Sequence, residues 1–154
     1  MKRSLVLCLT VLGMMSALVS CKKNGPDNVA ALVNQDDVPA GLVISYKADV
    51  DKATVDSKTY SVKGREIGGV FVSKTNPFSK ETAADGKSFV VVLLKETDLT
   101  ADDATINIKM INTVPDISVR QVRDIKSVDG KTLPSWKGEF KATESYPVAG
   151  GFIK

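Results

Sequence analysis

Cys21 has the most defined chemistry of any residue in this chain. It closes Leu18-Val19-Ser20-Cys21, behind a largely apolar run from Leu5 to Val19 that Lys2 and Arg3 precede. A basic start, an apolar stretch of roughly 15 residues and small residues ahead of a cut make a secretory signal rather than a spanning helix. The expected chemistry is attack of the Cys21 thiol on a diacylglycerol donor, followed by cleavage and acylation of the freed amine. Several acyl chains give the stable anchoring that one chain does not. Cys21 is therefore the expected lipidation site, with Leu18, Val19 and Ser20 as its lipobox and the membrane as its first partner. The expected location is a bacterial cell envelope, and Lys22 in place of Asp favours the outer membrane; no acidic run follows Cys21 to mark surface export.

Other residue groupings offer less. Asp49, Asp51 and Asp129 lie in turn-rich segments and are the candidate calcium ligands, because a hard cation needs several oxygens from converging loops. Default turn chemistry also suits them, since Asp satisfies local backbone amides and Gly130 supplies positive φ. Glu81, Glu96, Asp98 and Glu139 are available carboxylates, and glycoside chemistry needs two at a defined separation. Ser57-Lys58 and Ser73-Lys74 set a hydroxyl beside an amine, but neighbours on a strand point to opposite faces and cannot share a proton. Gly68-Gly69 and Gly150-Gly151 lack the Lys-Ser/Thr partner of a phosphate loop. There is no histidine, so the commonest general base and metal ligand is missing. No catalytic residue and no cofactor are assigned.

Aromatic side chains are the remaining candidates. Phe78 follows Asn76-Pro77 in a connection that is long for a hairpin, and long loops in compact β domains often bind. Trp136, Tyr146 and Phe152 cluster near the C-terminus and offer planes for a sugar ring or a protein anchor, although a single Trp is more often core. Phe78, Trp136 and Tyr146 are the candidate ligand contacts.

Composition narrows the partner class. Removal of residues 1–20 takes Lys2 and Arg3, leaving 19 basic side chains against 18 acidic ones. The sequence pI of 8.8 is thus no nucleic-acid signature, and no basic stripe is interleaved with aromatics. Cys8 leaves with the signal and Cys21 is taken by lipid, so no disulfide is expected; a domain of about 130 residues can bury a sufficient core without one.

The elements that must position these residues read as short strands. Leu42, Ile44 and Tyr46 alternate with Val43, Ser45 and Lys47; Tyr60 and Val62 follow; Ile67 to Val72 contains Gly68-Gly69, a bulge signal. Phe89 to Leu94 is apolar throughout, which suits a central strand covered on both faces. Thr105 to Met110 alternates, Val119, Val122 and Ile125 make a strand with an irregularity, and Phe140 with Ala142 mark the last strand before Pro147. No helical period competes after the signal. The expectation is an all-β chain, a sandwich of about seven strands. Its divisions are a signal over 1–20, a lipidated Cys and tether over 21–38, the sandwich over 39–146 and a tail over 147–154. The patch Val29 to Val33 lies in the tether, with a first strand or a helical turn packed on the domain as the alternative.

The run Ile44-Ser45-Tyr46-Lys47-Ala48-Asp49-Val50-Asp51-Lys52-Ala53-Thr54-Val55, then Tyr60-Ser61-Val62, resembles the opening of bacterial Ig-like domains of the surface-layer type. Leu99-Thr100-Ala101 before Ile106-Asn107-Ile108 is similar to that family's turn-then-strand step. Val122-Arg123-Asp124 and Asp129-Gly130-Lys131-Thr132-Leu133-Pro134 resemble its closing turn. The resemblance spans about residues 39 to 145. It departs from the family at Tyr46, where Phe is commoner, and in the four residues between Asp124 and Asp129, where the turn is usually tighter. It implies an Ig-like β-sandwich serving as spacer, scaffold or binding module. The functional expectation is a non-enzymatic envelope lipoprotein that binds protein or glycan. Alternatives are a carbohydrate-binding accessory of a polysaccharide-uptake system and a small calcium-dependent hydrolase.

Overall fold

The computed structural model describes residues 24–34, 38–76, 82–95 and 114–148. Among these residues ten strands run in chain order: β1 Asn28–Val33, β2 Pro39–Tyr46, β3 Tyr60–Val62, β4 Ile67–Ser73, β5 Ser88–Leu94, β6 Ser118–Gln121, β7 Ile125–Lys126, β8 Thr132–Leu133, β9 Phe140–Lys141 and β10 Glu144–Pro147. One sheet has the order β10-β1-β2-β5-β4, a second β3-β6-β9, and β7 pairs with β8 alone. Strands β1, β2, β5 and β4 opposite β3, β6 and β9 reproduce the ABED and CFG sheets of a constant-type Ig sandwich. The all-β sandwich expected from the sequence is what forms, with β10 and the β7–β8 pair added to its seven strands.

The sandwich interior follows from period two. Val29, Ala31 and Val33 of β1, Leu42, Ile44 and Tyr46 of β2, and Val90, Val92 and Leu94 of β5 point into one core, where Tyr60, Val62, Val119, Ile125 and Trp136 meet them. The register of β4 on β5 shifts between Ile67 and Gly69, so the bulge expected at Gly68-Gly69 is present. At Gly41 a side chain is excluded outright, because a Cβ there would lie 2.4 Å from the Val92 carbonyl oxygen.

Four sequence expectations need correction. Residues 28–33 are not tether but β1, an inner strand between β2 and β10 with Val29 to Val33 buried. Both of its faces are covered, which removes the alternation that identifies a strand. The irregular strand over Val119–Ile125 is two strands, β6 and β7. Between them Val122 is exposed while its amide donates to the Thr59 carbonyl at 2.8 Å. Phe140 does not open the last strand: β9 is followed by β10, which runs parallel to β1 with Ala30 opposite Glu144 and Val33 opposite Pro147. Pro147 is tolerated because β10 is an edge strand. The tail boundary also moves, since Val148 is buried and its amide donates to the Val33 carbonyl at 2.8 Å. Thr105 to Met110 lies outside the described residues.

A polar chain crosses the core. Gln121 is 0% exposed; its Oε1 accepts from the Tyr46 hydroxyl at 2.6 Å, and that hydroxyl lies 2.9 Å from the Tyr60 hydroxyl. Tyr46 has one proton and gives it to Gln121, so Tyr60 donates to Tyr46. The Gln121 Nε2 faces the carbonyls of Arg123 at 2.8 Å and Leu133 at 3.0 Å. No buried side-chain polar atom among the described residues is left without a partner. Burial raises the pKa of both tyrosines above the ordinary value; for Tyr46 the charge and hydroxyl of Tyr60 add to the rise.

Two outcomes follow from this chain. Tyr46→Phe strands the Gln121 carbonyl oxygen and is expected to cost about 1–3 kcal/mol, whereas Tyr60→Phe removes only a donor and costs less; urea midpoints rank the two. Unfolded tyrosines ionise near pH 10 while the folded ones keep their protons. Stability is therefore full below about pH 10 and falls above it, by up to about 1.4 kcal/mol per pH unit for each tyrosine. Unfolding free energies measured from pH 8 to 11.5 check this, and Tyr46→Phe should flatten the decline.

Candidate functional site

Strand pairing lays out the outer face of the five-stranded sheet, the one turned away from the sandwich interior. Its middle row runs Glu144, Ala30, Val43, Val91 and Phe71 across β10, β1, β2, β5 and β4. On one side lies the row Tyr146, Leu32, Gly41, Leu93 and Gly69; on the other lies Asn28, Ser45, Phe89 and Ser73. Antiparallel sheets that face water alternate apolar with polar. Here Ala30, Leu32, Ala40, Val43, Phe89, Val91 and Val148 form a second buried apolar cluster, with Ala83, Leu93 and Tyr146 packed against it. The sheet is thus apolar on both faces.

A cleft of about 340 Å³ opens at one end of this face. Ala30, Val43, Phe89 and Tyr146 supply its apolar surface, and Asp27, Asn28, Glu144, Thr82 and Lys87 its polar rim. The rim is braced. Asn28 Nδ2 donates to Glu144 Oε1, and Asn28 Oδ1 accepts from the Val29 amide at 2.9 Å and the Thr143 hydroxyl at 2.5 Å. Asp27 sits between Lys47 at 3.5 Å and Lys87 at 3.6 Å. The volume of the cleft lies at the lower end for small-ligand sites, and its lining is at least as polar as it is apolar.

The candidate residues separate clearly. Tyr146 lines the cleft. Trp136, by contrast, is 3% exposed on the far side of the sheet, its ring centroid 6.0 Å from Tyr46 and 5.1 Å from Phe140 in an edge-on contact. No ligand reaches that plane, so Trp136 is core. Phe78, Phe152, Cys21, Leu18, Val19 and Ser20 lie outside the described residues, as do Glu81, Glu96 and Asp98.

The aspartates do not form a cation site. The loops meet, since the Val128 amide donates to the Asp49 carbonyl at 2.7 Å and the Asp51 amide to the Lys126 carbonyl at 2.8 Å. Their carboxylates are taken up by local partners: Asp49 pairs with Lys74 at 2.6 Å, Asp51 accepts from the Ala53 amide at 3.0 Å, and Asp129 takes the Ser127 hydroxyl and Lys131 at 3.3 Å. The Ser127 and Lys131 contacts hold the Asp129 carboxyl below the usual range. Among the described residues no three acidic, cysteine or histidine side chains are grouped to hold a metal. Glu139 accepts from the Ser118 hydroxyl at 2.9 Å, and the Ser73 hydroxyl donates to the Thr75 carbonyl at 2.6 Å.

Ala30, Val43 and Phe89 escape a reading of single residues. One signal for them is the unbroken Phe89 to Leu94 run, which requires apolar cover on both faces of β5.

No helix among the described residues is long and apolar enough to cross a membrane. No curated protein matches this chain. The crystal structure of a thermostable esterase is similar over 79% of this chain with a TM-score of 0.51 and 21% identity, a likeness that shows the fold alone. This chain spans 36% of that esterase. Residues 38–134 match the model of the esterase Ig-like N-terminal domain, a stretch that runs from the start of β2 through β8 and holds most of the interior core and the Gln121 node. With seven strands in the two Ig sheets and that match over more than half its length, the chain belongs to the esterase Ig-like N-terminal domain family.

Proposed function

We propose that this protein is a non-enzymatic, lipid-anchored module of the bacterial envelope that holds a protein or glycan partner at the cleft beside Tyr146. The observation that carries the reading is the braced, polar-rimmed cleft beside Tyr146. The apolar cluster beneath it is already buried within the chain and gives the cleft a fixed floor. The absence of histidine from the sequence and the local bonds that occupy Asp49, Asp51, Asp129 and Glu139 favour binding over catalysis. The family takes its description from esterases in which this domain is N-terminal, so a protein neighbour is the first partner class to test. Anchoring rests on Leu18-Val19-Ser20-Cys21.

Crosslinking in cells tests the whole reading. The acylated chain should capture a defined envelope component that Cys21→Ser loses, and an alkynyl fatty acid should label the parent but not Cys21→Ser. Tyr146→Ala should weaken that capture severalfold while thermal unfolding stays cooperative. Equal capture of abundant neighbours by parent and both variants would reject the proposal.

A further inference from the structure

Strand β4 ends its sheet, and β5 is its only strand partner among the described residues. Its sequence Ile67-Gly68-Gly69-Val70-Phe71-Val72-Ser73 has no charge and no proline, the usual devices that blunt a free edge. The bulge at Gly68 protects one end, but Gly69 to Ser73 continue regularly. Phe71 is 41% exposed at the end of the middle row of the outer face, while Val70 and Val72 are only half-buried although they pack on the interior core.

We propose that β4 pairs with β4 of a second copy of this chain, antiparallel and centred on Phe71. That register is self-complementary. Phe71 meets Phe71 of the copy across the two-fold axis, Val70 meets Val72 of the copy on the interior side, and Gly69 meets Ser73 of the copy. Aromatic and β-branched cross-strand pairs are the favoured ones. Gly69 has open space where a side chain would stand, so nothing on its own strand obstructs the approach. The ends also fit: Glu66 is paired with Lys95 at 2.9 Å and Asp49 with Lys74 at 2.6 Å. Antiparallel apposition therefore sets two internally neutralised pairs near each other and brings no bare like charges together. Because the contact is isologous, it closes at two copies and does not propagate. It joins the two outer faces into one ten-stranded sheet and stands independently of whether the cleft binds a ligand.

A five-residue edge pairing is small beside a standard protein interface, so the dimer is weak and is sought at about 100 µM. Two measurements on the full chain in detergent micelles decide it. Phe71→Cys, whose Cβ atoms would lie within about 5.5 Å across the axis, should give a disulfide-linked dimer on mild oxidation. Lys141→Cys, exposed on β9 at the far edge of the other sheet, and the parent with its own cysteines should give at least tenfold less. Phe71→Lys, which sets two lysines opposite each other, should keep the parent's melting temperature and raise the dimer dissociation constant at least tenfold in sedimentation equilibrium. Crosslinking of Phe71→Cys no greater than that of Lys141→Cys overturns the pairing, as does a parent protein that sediments as one chain per micelle at this concentration.

Discussion

The side-chain amide of Gln121 holds together parts of the chain that have no strand pairing in common. Its oxygen accepts from Tyr46 on β2 of one sheet, and its nitrogen faces the carbonyls of Arg123, just before β7, and of Leu133 in β8. The backbone of the same residue pairs with Tyr60 and accepts from the Trp136 amide at 2.9 Å. A buried amide is costly unless every hydrogen-bonding group is met, so the position of one side chain constrains where both sheets and the segment after β8 lie. Trp136 then fills the space against Tyr46, Tyr60 and Phe140. Apolar burial supplies most of the driving force, but it is non-directional. The network of two tyrosines and one glutamine gives the sandwich its alignment.

The outer face shows a different use of the same chemistry. Ala30, Val43 and Val91 are as thoroughly buried as the interior residues that alternate with them, so β1, β2 and β5 are packed as the middle layer of a structure rather than as one wall of it. Small side chains serve that purpose. Ala30 and Gly41 bring the rows close to the backbone, and at Gly41 no larger residue fits between Leu32 and the Val92 carbonyl. The cleft forms where this layer gives way to the braced Asn28–Glu144–Thr143 rim.

Much of the fold was legible because period two needs no knowledge of distant partners. Leu42-Ile44-Tyr46, Tyr60-Val62 and the Gly68-Gly69 bulge were readable from neighbours alone, and Phe89 to Leu94 announced a strand covered on both sides. Strand β1 was not, because Val29 to Val33 has no polar positions to mark an outer face. The division of Val119–Ile125 depends on a hydrogen bond from the Val122 amide to the Thr59 carbonyl, some sixty residues earlier in the chain. Candidate binding residues fared by the same rule. Tyr146 and Trp136 are both aromatic residues near the C-terminus, yet one faces the cleft and the other the core. That difference is decided by the parallel register of β10 on β1 and by the path of the chain after β8, neither of which is written in local composition. Likewise the loops of Asp49, Asp51 and Asp129 do meet, but nearby lysines, hydroxyls and amides claim their carboxylates.

The parallel pairing of β1 with β10 has a mechanical consequence. Because the two strands run in the same direction, the chain entering β1 and the chain leaving β10 depart from opposite ends of the ladder. Tension between an attachment before residue 28 and one after residue 147 therefore pulls along the strands. Evenly spaced parallel bonds from Ala30–Glu144 to Val33–Pro147 then bear the stress together in shear instead of parting one at a time. Resistance to such a pull is a matter of unfolding rate rather than of equilibrium stability.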